Sequence, residues 1–177
     1  MNKNFKEQLH PVRCIVLDID GVLTDGSLLV MADESVRIMN IRDGYAISEA
    51  VKKGYMICII SGGKSASVMK RLQNLGVKEI HLGIENKTEI LTSIMKQHQL
   101  NAEEVLYMGD DLPDYEAMQL AGVRCAPADA CSQIRELCSY ISPYPGGKGC
   151  VRDVIEQVMR LHGKWPYVNS SAVKSNA

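Results

Sequence analysis

The chain has 177 residues, of which 46% are hydrophobic and 23% charged, and its formal net charge at pH 7 is -1. That is room for one ordinary domain with its own core, and Lys and Arg are spread along it without a basic run, which argues against nucleic acid or an anionic membrane as the main partner. Met1 to His10 is polar and unlike a signal sequence, and no apolar run approaches the ~20 residues of a membrane helix, so a cytoplasmic location is expected.

Arg13 to Leu17 is a short run rich in β-branched residues that ends in acidic residues and Gly21. It predicts a buried strand with carboxylates at its C-terminal end. Ser27 to Met31 and Val36 to Ile41 flank Ala32-Asp33-Glu34-Ser35 and read as a β-hairpin, about residues 26–41, with apolar residues on both faces. Such a hairpin is marginal alone in water and must lie on something else. Ala46, Ile47, Ala50 and Val51 recur at helical spacing before Gly54.

Tyr55 to Ile60 reads as a central parallel strand, Ser65 to Leu75 as a helix stopped by Gly76, and Glu79 to Leu82 as a further strand. Ile90, Leu91, Ile94 and Met95 mark the next helix. Asn101 and Glu104 have capping-box spacing, but the apolar run Val105 to Met108 points to a strand. A helix over about Pro113 to Ala121 follows, then short elements at Arg124 to Ala126, Ile134 to Cys138 and Tyr140-Ile141. A last amphipathic helix carries Val151, Val154, Ile155, Val158 and Leu161. The alternation predicts an α/β domain over residues 1–168, a parallel Rossmann-like sheet covered on both faces. The small polar tail 169–177 is expected to be disordered.

Six cysteines contain no C-x-x-C pair and several fall within apolar patterns, so they read as core residues and not as a zinc site. The four histidines form no motif.

Ligands of open parallel sheets bind beyond the carboxyl ends of the strands. Four such ends carry polar groups: Asp18-Ile19-Asp20, Ser61-Gly62-Gly63, Lys87 and Gly109-Asp110-Asp111. Asp18, Asp20, Asp110 and Asp111 at one rim would repel one another unless a cation were present, and hard oxygen donors suit Mg²⁺. Asp18 can attack phosphorus to give an aspartyl-phosphate. Asp20, two residues on and on the same side of the strand by its period of two, can protonate the departing alkoxide and later take a proton from water. Ser61 and the Gly62 N–H can hold phosphoryl oxygens, with Lys87 compensating charge. Ser61 could also cap the following helix. A phospho-accepting receiver-like signalling domain uses similar parts, but there the acidic pair comes first and the accepting Asp later, the reverse of the order here. A fold kept for assembly without catalysis would have lost a key residue, and none is missing.

The segments Asp18-Ile19-Asp20-Gly21-Val22-Leu23-Thr24-Asp25-Gly26, Ser61-Gly62-Gly63, Asn86-Lys87 and Gly109-Asp110-Asp111-Leu112-Pro113-Asp114 resemble the four motifs of the haloacid dehalogenase superfamily. Asn40-Ile41-Arg42-Asp43-Gly44-Tyr45, Ser61-Gly62-Gly63-Lys64 and Gly146-Gly147-Lys148-Gly149-Cys150-Val151-Arg152 extend the resemblance, over residues 10 to 160, to its capless phosphatases of keto-deoxy sugar acids. The resemblance implies Asp18 as nucleophile and metal ligand, and Asp20 as acid/base that also ligates through its carbonyl. Asp110 would be the third ligand, supported by Asp111 and Asp114, while Ser61, Gly62, Lys64 and Lys87 would bind substrate. It further implies a homotetramer whose hairpins pair and whose neighbouring subunits complete each site. The substrate would be a small sugar-acid phosphate, with eight and nine carbons the competing readings. Lys64 and Lys148 depart from the Arg that relatives often carry, and an ammonium cannot hold a carboxylate through two parallel bonds. Only about forty residues separate Asp20 from Ser61, fewer than a cap domain of ~50 residues needs.

Overall fold

A computed structural model of the protein describes residues 4–31 and 35–166. Its strands, in chain order, are β1 (Cys14–Leu17), β2 (Leu29–Val30), β3 (Ser35–Val36), β4 (Met56–Ser61), β5 (Glu79–Leu82), β6 (Val105–Met108), β7 (Val123–Ala126) and β8 (Tyr140–Ile141). Six of them form one sheet in the order β5-β4-β1-β6-β7-β8, parallel at every pairing. β1 therefore lies between β4 and β6, and the chain reverses its direction of travel across the sheet beside it. The carboxyl ends of these three strands meet at the switch point where such folds bind ligands.

The helices are α1 (Phe5–Leu9), α2 (Ile41–Lys52), α3 (Ala66–Asn74), α4 (Lys87–Gln97), α5 (Tyr115–Gln119), α6 (Ser132–Leu137) and α7 (Cys150–Leu161). Alternate side chains of β1 and β4 serve opposite faces of the sheet. Ile15, Leu17, Ile57 and Ile59 pack with Ile47 of α2, Leu72 of α3 and Val154 and Val158 of α7. Cys14, Val16, Cys58 and Ile60 pack with Leu91 and Ile94 of α4, Met118 of α5 and Ile134 of α6. Each such Ile or Leu, removed fully from water, contributes about 1.5–3 kcal/mol. The cysteines are all free, and Cys14, Cys58, Cys125 and Cys150 are buried, in keeping with a core role.

The parallel α/β architecture expected from the alternation is the observed one; several details differ for local reasons. The hairpin strands are only two residues each, and Asn40 caps α2 by accepting from the Arg42 N–H at 2.8 Å, which makes Ile41 the first helical residue and not the end of a strand. The expected turn at 32–34 and the tail 169–177 lie outside the described residues. Asn101 and Glu104 do form a capping box, on a single 3₁₀ turn, Ala102–Glu104, that feeds straight into β6. Cap and strand coexist because one turn needs no helix behind it. The helix expected over 113–121 is a 3₁₀ turn, Leu112–Asp114, followed by the five-residue α5.

The residue that caps α7 is Gly149, which has no side chain to satisfy the first free N–H groups of the helix. Asp43 of α2 reaches across to accept from the Arg152 N–H at 2.7 Å. The Asp43 of the Arg42-Asp43-Gly44 segment is thus a cap supplied from a neighbouring helix, and it ties α2 to α7. Among the described residues no helix is long and apolar enough to cross a membrane.

Candidate active site

Asp18 follows the last residue of β1 in extended conformation, and its Oδ1 accepts from the Ile19 N–H at 2.7 Å. The chain then coils through a wide turn, Ile19–Leu23, broken by Asp20 at ψ 123 and Gly21 at φ 82. Asp20 therefore reaches the same cavity as Asp18 from a turn, and the strand period that suggested its direction does not extend to it. Gly21 is required twice over: its φ is left-handed, and a Cβ there would fall on the Asp110 carboxylate.

The cavity holds about 340 Å³ and is lined by Asp18, Asp20, Ser61, Gly62, Lys87 and Asp110, with Asp111 and Asp114 at its wall. Six of the seven residues singled out as substrate- or metal-binding from the sequence come together here. Lys64 does not; its stem lies along Gly83, outside the lining. Ser61, the last residue of β4, is buried, and its Oγ accepts from the Gly63 N–H at 3.4 Å. The cap of α3 is Ser65, which accepts from the Val68 N–H, so Ser61 does not serve as the cap.

Lys87 opens α4, and its side chain is only 4% exposed. Its ammonium lies 2.9 Å from Asp18 Oδ2 and 2.8 Å from Asp114 Oδ1. Asp114 Oδ1 also accepts from the Tyr107 hydroxyl at 2.9 Å, and its Oδ2 from the Asp110 N–H at 3.2 Å. Gly109 permits this fold-back, since a Cβ there would stand 2.6 Å from that of Asp114. One carboxylate oxygen from each of Asp18, Asp110 and Asp114 lies within 4.8 Å of the others. Both oxygens of Asp114 are engaged, one by Lys87 and Tyr107 and one by the Asp110 N–H, so it orients Lys87 and Asp110; Asp18, held by the Ile19 N–H and Lys87, lines the cavity together with Asp110. This all-oxygen, closely spaced donor set fits a hard divalent cation.

The electrostatics have the same sense. Burial, then the Asp114 charge, raises Asp18 to about 6 in spite of Lys87. Burial, then Asp18 and Asp114, raises Asp110 to about 7. Burial alone would lower the Lys87 ammonium, but the carboxylates of Asp18 and Asp114 outweigh it and the net shift is upward. Carboxylates raised in the fold bind more protons folded than unfolded between about pH 4 and 7, so metal-free stability falls as pH rises through that window. In chelator, melting temperature should therefore rise as pH is lowered from 7.5 to 5.5. Added Mg²⁺ should raise it more at 7.5 than at 5.5, because the cation competes with those protons. A Mg²⁺ shift that is absent at pH 7.5, or larger at 5.5, would contradict this account of the cluster.

Two residues of the site were not legible as such. Tyr107 looked like an ordinary strand residue. Arg37, just after β3, is 6% exposed and forks onto Asp20, Nε to Oδ1 at 2.7 Å and Nη2 to Oδ2 at 2.9 Å. Its sequence signal was a lone cation inside the apolar run Val36 to Ile41. The glycine loop also acts locally: the Gly147 N–H donates to the Val22 carbonyl at 2.9 Å, so the loop packs on the turn that carries Asp20. Lys148 meets Asp25 at 3.3 Å at the surface.

The model of the haloacid dehalogenase-like hydrolases matches residues 33–128. The chain belongs to this family. Among haloacid dehalogenase-like relatives, 3-deoxy-D-manno-octulosonate 8-phosphate phosphatase KdsC of Escherichia coli (strain K12) is 34% identical over 155 residues, 86% of this chain and 82% of that one. A probable YrbI family phosphatase of Pseudomonas syringae superposes with a TM-score of 0.89 at 33% identity, covering 97% of this chain and 98% of that one. The 3-deoxy-D-manno-octulosonate 8-phosphate phosphatase of Moraxella catarrhalis, solved with magnesium, phosphate and the KDO sugar, gives a TM-score of 0.85 at 28% identity, covering 89% and 91%. Together with these relatives, which are similar along most of the chain, the family assignment makes the chain a phosphoric monoester hydrolase on a capless core and sets aside the receiver-like reading.

Proposed function

We propose that this protein hydrolyses 3-deoxy-D-manno-octulosonate 8-phosphate to the free sugar acid and phosphate, with Mg²⁺, in the cytoplasm and as a homotetramer. The observation that carries the chemistry is the convergence of Asp18, Lys87 and Asp110 on one cavity at the sheet's switch point. The substrate class is supported by the relatives, which are similar along nearly the whole chain.

In this reading Asp18 attacks phosphorus, the bond to the sugar oxygen breaks, and an aspartyl-phosphate forms on Asp18. Asp20 gives its proton to the departing oxygen and then takes one from the water that hydrolyses the intermediate. Ser61 and the Gly62 N–H bind phosphoryl oxygens, and Lys87 offsets their charge. Asp18, the Asp20 carbonyl and Asp110 would hold Mg²⁺, which when bound screens the repulsion between Asp18 and the phosphoryl group. Lys64 is assigned no contact with the phosphoryl group of its own chain. The tetramer is supported by the hairpin, where Leu29, Val30, Met31 and Ile38 are exposed together and need an apolar cover.

The test is phosphate release from a panel of sugar and sugar-acid phosphates, with Mg²⁺ and with chelator. The eight-carbon acid should give the highest kcat/KM and chelator should abolish release. Preference for the nine-carbon acid, a hexose phosphate or a nucleotide would overturn the substrate assignment.

A further inference from the structure

Asp20 is not free to swing in its turn, because Arg37 grips both of its carboxylate oxygens. The grip is built in from two sides. Arg37 comes from the hairpin, and Gly63 leaves the slot for it: a Cβ on Gly63 would stand 2.6 Å from Arg37 Nη2 and 3.0 Å from Asp20 Oδ2. The arrangement also leaves Arg37 Nη1 buried with no acceptor among the described residues. A buried guanidinium with an orphaned donor is poor for stability, so its placement is better explained by the site than by the fold.

We infer that Arg37 is a positioning residue that aims Asp20 at the leaving-group oxygen and stabilises the charge that appears on Asp20 as its proton departs. The inference rests on the proposed phosphatase reading. As the bond from phosphorus to the sugar oxygen breaks, that oxygen takes the proton of Asp20, and the carboxylate gains the negative charge the proton leaves behind. Two N–H groups already point at it. The interaction is thus stronger in the transition state than with the protonated acid, which favours the transfer once Asp20 carries its proton. Its importance scales with the need of the leaving group for a proton: large for an alkoxide, small for a nitrophenolate.

The experiment compares kcat/KM of the parent, Arg37→Ala and Arg37→Lys on an alkyl phosphate (the sugar-acid ester) and on p-nitrophenyl phosphate, with Mg²⁺ throughout. Arg37→Ala should lose about 10²-fold or more on the alkyl ester, in the range of general acid catalysis, and under about fivefold on the aryl ester. Arg37→Lys, which keeps the charge and loses the fork, should fall between the two on the alkyl ester. Equal losses on both esters, a rise in KM alone, or no loss on the alkyl ester would overturn the inference. If Arg37→Ala does not fold, Arg37→Gln and Arg37→Lys carry the same comparison. A parent inactive on every phosphate ester would instead defeat the phosphatase reading itself, so the two failures are distinguishable.

Discussion

Replacing Asp18 by Asn should reduce turnover by at least about 10⁴-fold while leaving the fold intact, as expected when a covalent nucleophile is lost. The amide matches the carboxylate in shape but cannot attack phosphorus. The structure indicates why folding should survive. Asp18 is buried, and its burial and the nearby Asp114 already disfavour its charge. Removing that charge eases repulsion with Asp110 and Asp114, and Lys87 retains Asp114 at 2.8 Å. The amide must turn its NH₂ toward either the Ile19 N–H or Lys87, which offsets part of that relief, so melting temperature in chelator should stay within about 5 °C of the parent. Phosphate release and thermal melts on the same preparation separate lost chemistry from lost structure. Activity within tenfold of the parent would remove Asp18 from its assigned role.

Lys87→Met should damage both activity and stability, and in a manner that pH reveals. The ammonium is held between two carboxylates, and losing one partner of a buried ion pair costs about 3–5 kcal/mol. For a domain of this size that is a fall in melting temperature of about 10 °C. Turnover should drop on the order of 10³-fold, since a donor aimed at the accumulating phosphoryl charge disappears. Without the cation that lowers it, Asp18 is freer to take up a proton, so the stability deficit should narrow from pH 7.5 to 5.5. Lys87→Arg should not restore activity, because a planar fork cannot occupy the site of a compact ammonium. A deficit independent of pH would indicate that Lys87 acts through packing alone.

The sheet was readable because its strands are buried on both faces, and continuous apolar runs such as Tyr55 to Ile60 have few other uses. The rim was readable because strand ends in an open parallel sheet converge, so Asp18, Ser61, Lys87 and Asp110 could be placed together without knowing any distance. What remained hidden depended on contacts between segments distant in the chain. Nothing around Asp43 announces that it caps a helix starting more than a hundred residues later, and nothing around Arg37 announces Asp20. Asp20 itself was placed for the wrong reason, since the strand ends before it and Gly21 turns the chain. Lys64 shows the converse: proximity in sequence to Ser61 and Gly62 did not carry its side chain into the cavity.

The position of β1 has a consequence for how the protein comes apart. β1 has a hydrogen-bonded neighbour on each side and buried side chains on each face, so its amides exchange with solvent only when the whole domain opens. In a single chain the hairpin has two-residue strands and exposed apolar side chains, and until a neighbouring subunit covers it its amides should exchange through small local openings. Asp18 thus follows a strand enclosed on both sides, and Arg37 follows one of only two residues. In the dissociated chain, mild denaturant should therefore release Asp20 from Arg37 well before it disturbs Asp18.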